Sequence, residues 1–178
     1  MRLHSMGRFG IAAAVIVAVG CAGEEGEEAA EGEEAPVVEQ VAAMPDTTAE
    51  AVWAHLEQAN YETWALWPEK GRLYAGGEPH GMLLTTYLND AALEALNGDA
   101  TVFPAGAIIV KENYMPDSTL AAVTVMYKTE NFNPDNNNWF FIKRLTDGTV
   151  QVGGRGPGCE NCHGARRDND FIMTADIN

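Results

Sequence analysis

The chain has 178 residues, 26 acidic against 11 basic side chains, a formal net charge of −15 and three cysteines. No stripe of Lys and Arg appears, so the cationic footprint of a nucleic-acid binder is missing. The length suits one domain, and the roughly 130 residues that read as folded are enough for one hydrophobic core and not for two.

Residues 1–20 read as a signal peptide. Arg2, His4 and Arg8 precede the apolar run "IAAAVIVAVG", Ile11 to Gly20. That run is too short for a stable membrane anchor and has the layout of a secretory signal. It ends in "AVGC", which resembles the lipobox of bacterial lipoproteins, with Ala18 where Leu is usual. The resemblance implies lipidation of Cys21 and a place at the periplasmic face of a bacterial membrane, held there only by the lipid. Ordinary cleavage nearby, with Cys21 incidental, is the alternative. Residues 21–45 then read as an acidic tether. Eight Glu and no Lys or Arg among Gly and Ala cannot bury enough surface to fold, and like charges keep the segment extended. Residues 46–178 remain acidic, with 18 acidic against nine basic side chains.

Within 46–178 the spacing predicts a helix from about Ala49 to Asn60, with Val52, His55, Leu56 and Ala59 in phase and a capping box from Thr47 to Glu50. Gly81 to Asp90 is rich in strand formers. A short helix, "AALEALNG", follows, capped by Asn89 or Asp90 and stopped by Gly98. Strands are predicted at Ala107 to Tyr114, Thr119 to Lys128 and Trp139 to Leu145. The turns between them fall at Pro116-Asp117 and in "NFNPDNNN". Asp147-Gly148 signals a hairpin into a fifth strand, "TVQVGG". Short connections argue for an α+β fold, a mostly antiparallel sheet of about five strands with packed helices.

The strongest chemical signal is "CENCH", Cys159 to His163. A structural zinc site needs four ligands, and only His4, His55 and His80 remain to complete one. A thioredoxin-type pair belongs early in a βαβ unit. A disulfide across two residues is strained and labile. The reading favoured over these three alternatives is covalent attachment of one c-type haem, for which C-x-x-C-H is the signature. One helical turn presents both sulfurs to the same porphyrin edge, and the adjacent His163 supplies the proximal imidazole to the iron. Function then turns on the other iron face. A strong second ligand makes an electron carrier, an open face a ligand binder or an enzyme. Met173, Met115, Met126, Met82 and His80 are the candidates for that position.

Several segments together resemble the cytochrome P-460 family: "HGMLLTTYLND", "PAGAIIVKENY", "VTVMYK", "NWFFIKRL", "CENCH" and "DFIMT", covering roughly Pro79 to Ala175. The family is similar in fold to cytochrome c-prime-beta. The resemblance implies β-rich subunits that often dimerise, five-coordinate c-type haem, and hydroxylamine oxidation or the binding and conversion of nitric oxide. It places Cys159 and Cys162 at the thioethers and His163 at the proximal ligand. It places Lys111 at the lysine that cross-links to the macrocycle in enzymatic members. An electron-accepting cytochrome is the implied redox partner. One departure stands out. Hydroxylamine-oxidising members use a pocket carboxylate on a neighbouring strand, which here reads "LAAVTVMYK", with Thr124 and no acid before Glu130; this leaves ligand binding intact and puts oxidation in doubt. Phe103, Phe140 and Phe171 are candidates for an apolar distal wall, or for plain core.

The reading is therefore an exported mono-haem cytochrome of the P-460 type that binds or oxidises a small nitrogen ligand at an open iron face. The alternatives are a six-coordinate electron carrier and a nitric oxide binder without turnover.

Overall fold

The computed structural model describes residues 43–98 and 100–177. The expected signal peptide, Cys21 and all but the last residues of the acidic tether lie outside the described residues. The folded contacts reach back to Pro45, whose carbonyl accepts a hydrogen bond from the Tyr127 hydroxyl (3.0 Å).

Helix α1 spans Ala49–Gln58. Its cap is Thr48 rather than Thr47. The Thr48 hydroxyl accepts from the Ala51 amide, so the third helical residue is Ala51 and the expected Thr47–Glu50 box does not form. Strands β1 (Ala65–Leu66) and β2 (Tyr74–Gly77) both pair antiparallel with one edge of β3 (Gly81–Leu88). Helix α2 (Asp90–Asn97) follows, then β4 (Ile108–Tyr114), β5 (Leu120–Lys128), β6 (Trp139–Leu145), β7 (Val150–Gly154) and α3 (Pro157–His163). The sheet runs β1-β3-β4-β5-β6-β7, antiparallel throughout, with β2 beside β1 on β3. This is the expected α+β fold with two strands more than the five predicted.

Asn89 caps α2 and also ties it to the sheet. Its Oδ1 accepts from the Ala92 and Ile108 amides, and its Nδ2 donates to the Gly106 carbonyl (2.8 Å). The β2–β3 pair needs glycine at position 76, because a side chain there would collide with the Gly81 carbonyl and Leu84.

Strand alternation divides the protein into two apolar layers. On one face Ile108, Val110, Val123, Val125, Tyr127, Phe140 and Ile142 pack under Val52 and Leu56 of α1. On the other, Ile109, Trp139 and Phe141 join Trp67, Ala92, Phe103, Phe171 and Ile172. The second face is the one that α3 covers.

Candidate functional site

A cavity of about 320 Å³ lies between the second face of the sheet and α3. Its floor is two cross-strand rows. Lys111, Thr124, Lys143 and Val152 are successive partners across β4, β5, β6 and β7. Ile109, Met126 and Phe141 form the next row. Both rows line the cavity.

The opposite wall is α3. Gly156 turns the chain into it with a positive φ of 46°, where a side chain would meet Val152 and the Cys159 sulfur, and Pro157 occupies the first helical turn. Cys159 and Cys162 stand three residues apart on the helix and both line the cavity, as does His163. Cys159 is half-buried and Cys162 exposed, and no disulfide joins them. Burial raises the pKa of the Cys159 thiol. His163 is 8 % exposed. Its Nδ1 is 2.8 Å from the Phe171 carbonyl, an acceptor only, so Nδ1 carries the proton and Nε2 is left with a lone pair. Burial lowers its pKa, against the opposing pull of that hydrogen bond, and so favours the neutral ring. Two sulfurs and a ligand-ready imidazole facing one largely apolar cavity are the set a c-type haem requires.

The Phe171 carbonyl is aimed by a device that residue patterns did not expose. Asp170 and Phe171 both adopt positive φ (47° and 68°). The conformation is fixed through the buried Asp170 carboxylate, which accepts from Lys128 Nζ (2.6 Å), the Phe103 amide (2.8 Å), Asn137 Nδ2 (2.9 Å) and Trp139 Nε1 (3.3 Å). Trp139 Nε1 also donates to the Asp170 carbonyl (2.9 Å). Three of the segments singled out in the sequence, "VTVMYK", "NWFFIKRL" and "DFIMT", thus meet at one carboxylate that holds the His163 acceptor in place. Their spacing in the chain gives no hint of it. Only a buried Asp beside a buried Trp and Lys could have raised the question.

The predicted residues separate as follows. Lys111 lines the cavity and is half-buried. Burial lowers its pKa to about 8. Of the candidates for the second axial position, His80, Met126 and Met173 line the cavity. Met82 and Met115 are each 52 % exposed and lie outside it. The three phenylalanines do not form a wall opposite His163. Phe140 packs on the other face of the sheet, because its neighbour Phe141 takes the cavity side. Phe103 packs against Trp139, with ring centroids 5.8 Å apart and the planes tilted by 58°. Phe171 lies with the His163 backbone acceptor. The aromatics that do line the cavity are Trp67 and Phe141, the latter 5.6 Å from the His163 ring.

A search among curated proteins finds no match. The profile of the Cytochrome P460 family matches residues 58–174, from the end of α1 through the cavity and the CENCH helix. That span is about two thirds of the chain and carries every element of the site, so the chain belongs to the cytochrome P460 family and is a c-type haem protein with covalently bound haem.

Proposed function

We propose that Cys159 and Cys162 carry the haem as thioethers, that His163 is its proximal ligand, and that the protein binds a small nitrogen compound, nitric oxide or hydroxylamine, on the other iron face. The observation that carries this reading is the meeting of the three CENCH side chains on one wall of an apolar cavity, with the His163 tautomer set for ligation. When bound, the haem supplies a redox-active iron that can coordinate such ligands. The chain's own contribution is position and environment. Phe171 and Asp170 fix the imidazole, and Trp67, Ile109, Met126 and Phe141 exclude water.

Binding is favoured over hydroxylamine oxidation by the lining. Among the described residues that line the cavity none is Asp or Glu, so the carboxylate that would accept the protons of hydroxylamine oxidation is missing, and His80 is left as the neutral base there. The position of Lys111 supports a finer reading, a third covalent bond from its Nζ to the porphyrin. Forming that bond replaces an N–H and a C–H with N–C and passes two electrons to an oxidant such as dioxygen or peroxide. Export through residues 1–20, anchoring through Cys21 and an electron-accepting cytochrome as partner complete the proposal.

The test is expression with a cytochrome c maturation system. Haem should survive denaturing electrophoresis, be lost in C159A/C162A, and change its absorption when nitric oxide is added. Haem that acidified organic solvent extracts would overturn the attachment.

A further inference from the structure

His80 sits in the turn between β2 and β3, at the rim of the same cavity as His163. Its Nδ1 lies 3.1 Å from Asn113 Oδ1 and 3.3 Å from Thr124 Oγ1. The tautomer follows from Asn113. That side chain is buried, and its Nδ2 donates to the Lys111 carbonyl (3.0 Å) and the Ala122 carbonyl (3.1 Å). Two carbonyls can only accept, so the amide nitrogen must face them and the amide oxygen must face His80. His80 Nδ1 therefore carries the proton and Nε2 has the lone pair. This is the arrangement found at His163, with a backbone carbonyl as the acceptor there. A metal-ligating imidazole is held in this way, with its second nitrogen donating to a fixed acceptor.

The spacing agrees. The two ring centroids are 6.2 Å apart and the planes are 87° to each other. A first-row metal binds imidazole nitrogen at about 2.0 Å, and ring centre to nitrogen adds about 1.1 Å, so a metal held by two imidazoles whose Nε2 atoms face it from opposite sides separates their centroids by about 6.2 Å. A ligand-binding site with a free iron face would need the second ring further away, because a diatomic molecule would have to fit between iron and imidazole.

We infer that His80 is the second axial ligand of the resting haem, and that a nitrogen compound binds by displacing it. This rests on the proposed attachment through Cys159, Cys162 and His163. It departs from the five-coordinate iron that the family resemblance implies. Met126 and Met173 line the same cavity, but only His80 among these candidates shares the arrangement seen at His163.

The experiment uses the purified holoprotein, with electron paramagnetic resonance and absorption spectra of the ferric form. Wild type should be low-spin. His80→Ala should be high-spin, with the low-spin signal restored by added imidazole. Cyanide binding should reach a limiting rate in wild type, set by release of His80, and become linear in cyanide concentration in His80→Ala. His80→Gln, which keeps a polar side chain in the turn, serves where the alanine variant fails to fold. Low-spin spectra that persist in both variants would assign the ligand elsewhere and overturn the inference. So would a high-spin wild type that still holds its haem on a denaturing gel, and there the attachment reading survives. Absence of covalent haem in wild type would overturn both.

Discussion

Lys111 and Glu112 are adjacent in β4 and face opposite sides of the sheet. Lys111 points into the cavity, opposite Thr124 on β5. Glu112 is buried on the α1 side, where it accepts hydrogen bonds from Tyr61, Tyr87 and Tyr114. The period of two in a strand makes this separation obligatory, so the lysine has no carboxylate partner from its own strand and the cavity keeps its apolar character.

The consequence for Lys111 is chemical. A pKa lowered by burial to about 8 leaves roughly a tenth of the amine neutral at pH 7, far more than an ordinary lysine. A neutral amine is the nucleophile a porphyrin cross-link requires. We predict that the reduced protein absorbs to the red of ordinary c-type cytochromes and that Lys111→Ala returns the band while keeping the haem. Mass spectrometry of a digest should find the "IIVKENY" and "CENCH" peptides on one haem. An unshifted wild-type band with the Lys111 peptide free would place the protein with the simple ligand binders.

The Lys128–Asp170 pair should be unequal in its two halves. Burial lowers the pKa of Lys128 in spite of the hydrogen bond and charge of Asp170, so the pair does not fully offset the cost of burying the ammonium. Asp170→Ala leaves that ammonium buried without a partner and strips the Phe103 amide and the Asn137 side chain of their acceptor, while Trp139 keeps its bond to the residue 170 carbonyl. A loss of about 3–5 kcal/mol is expected. Lys128→Met leaves Asp170 with those three donors and fills the volume with apolar atoms, so its cost should be clearly smaller. Denaturant unfolding of the holoproteins checks this, and equal losses for the two variants would contradict it.

Much of the scaffold was legible in the sequence because strands β3 to β7 alternate or carry β-branched residues between recognisable turns. Strands β1 and β2 were not. A two-residue strand has no period, and β2 is half glycine. The CENCH residues were legible because chemistry fixes their spacing within one helical turn. The sorting of the methionines and phenylalanines was harder to read. Phe140 and Phe141 differ by one position and by a whole sheet face, so a one-residue choice of phase decides which reaches the cavity. The Asp170 hub joins Phe103, Lys128, Asn137 and Trp139 from separate loops and strands. No periodicity in the chain encodes such a meeting.

The proposed anchoring through Cys21 has a simple readout. Cys21→Ser should move the protein from the membrane fraction to the soluble periplasm while leaving haem content and spectrum unchanged, because the haem residues belong to the separate unit from residue 40 onward. Wild-type protein already soluble, with a mature N-terminus beyond Cys21, would show that the signal is cleaved in the ordinary way.

The last prediction concerns alkaline pH. Tyr61, Tyr87 and Tyr114 donate to the single buried Glu112 carboxylate at 3.1, 3.1 and 2.7 Å. Burial, reinforced by the negative charge of Glu112, raises all three phenol pKa values, that of Tyr87 to about 12 and those of Tyr61 and Tyr114 further. The unfolded chain ionises its tyrosines near pH 10. Folded-state values above the unfolded one mean that the native state holds its protons longer. The stabilisation is therefore fully present below about pH 10 and is lost as the pH rises through the folded values, from about 12 upward. Unfolding free energy should thus fall steadily above pH 10, with tyrosinate absorbance of the folded protein lagging behind that of the denatured protein. Tyr114→Phe removes the shortest of the three bonds, one made to a charged acceptor, and should cost about 1.5–3 kcal/mol at neutral pH and flatten the alkaline slope. If all five tyrosines titrate together near pH 10 in the folded protein, Glu112 is not held by this cage in solution.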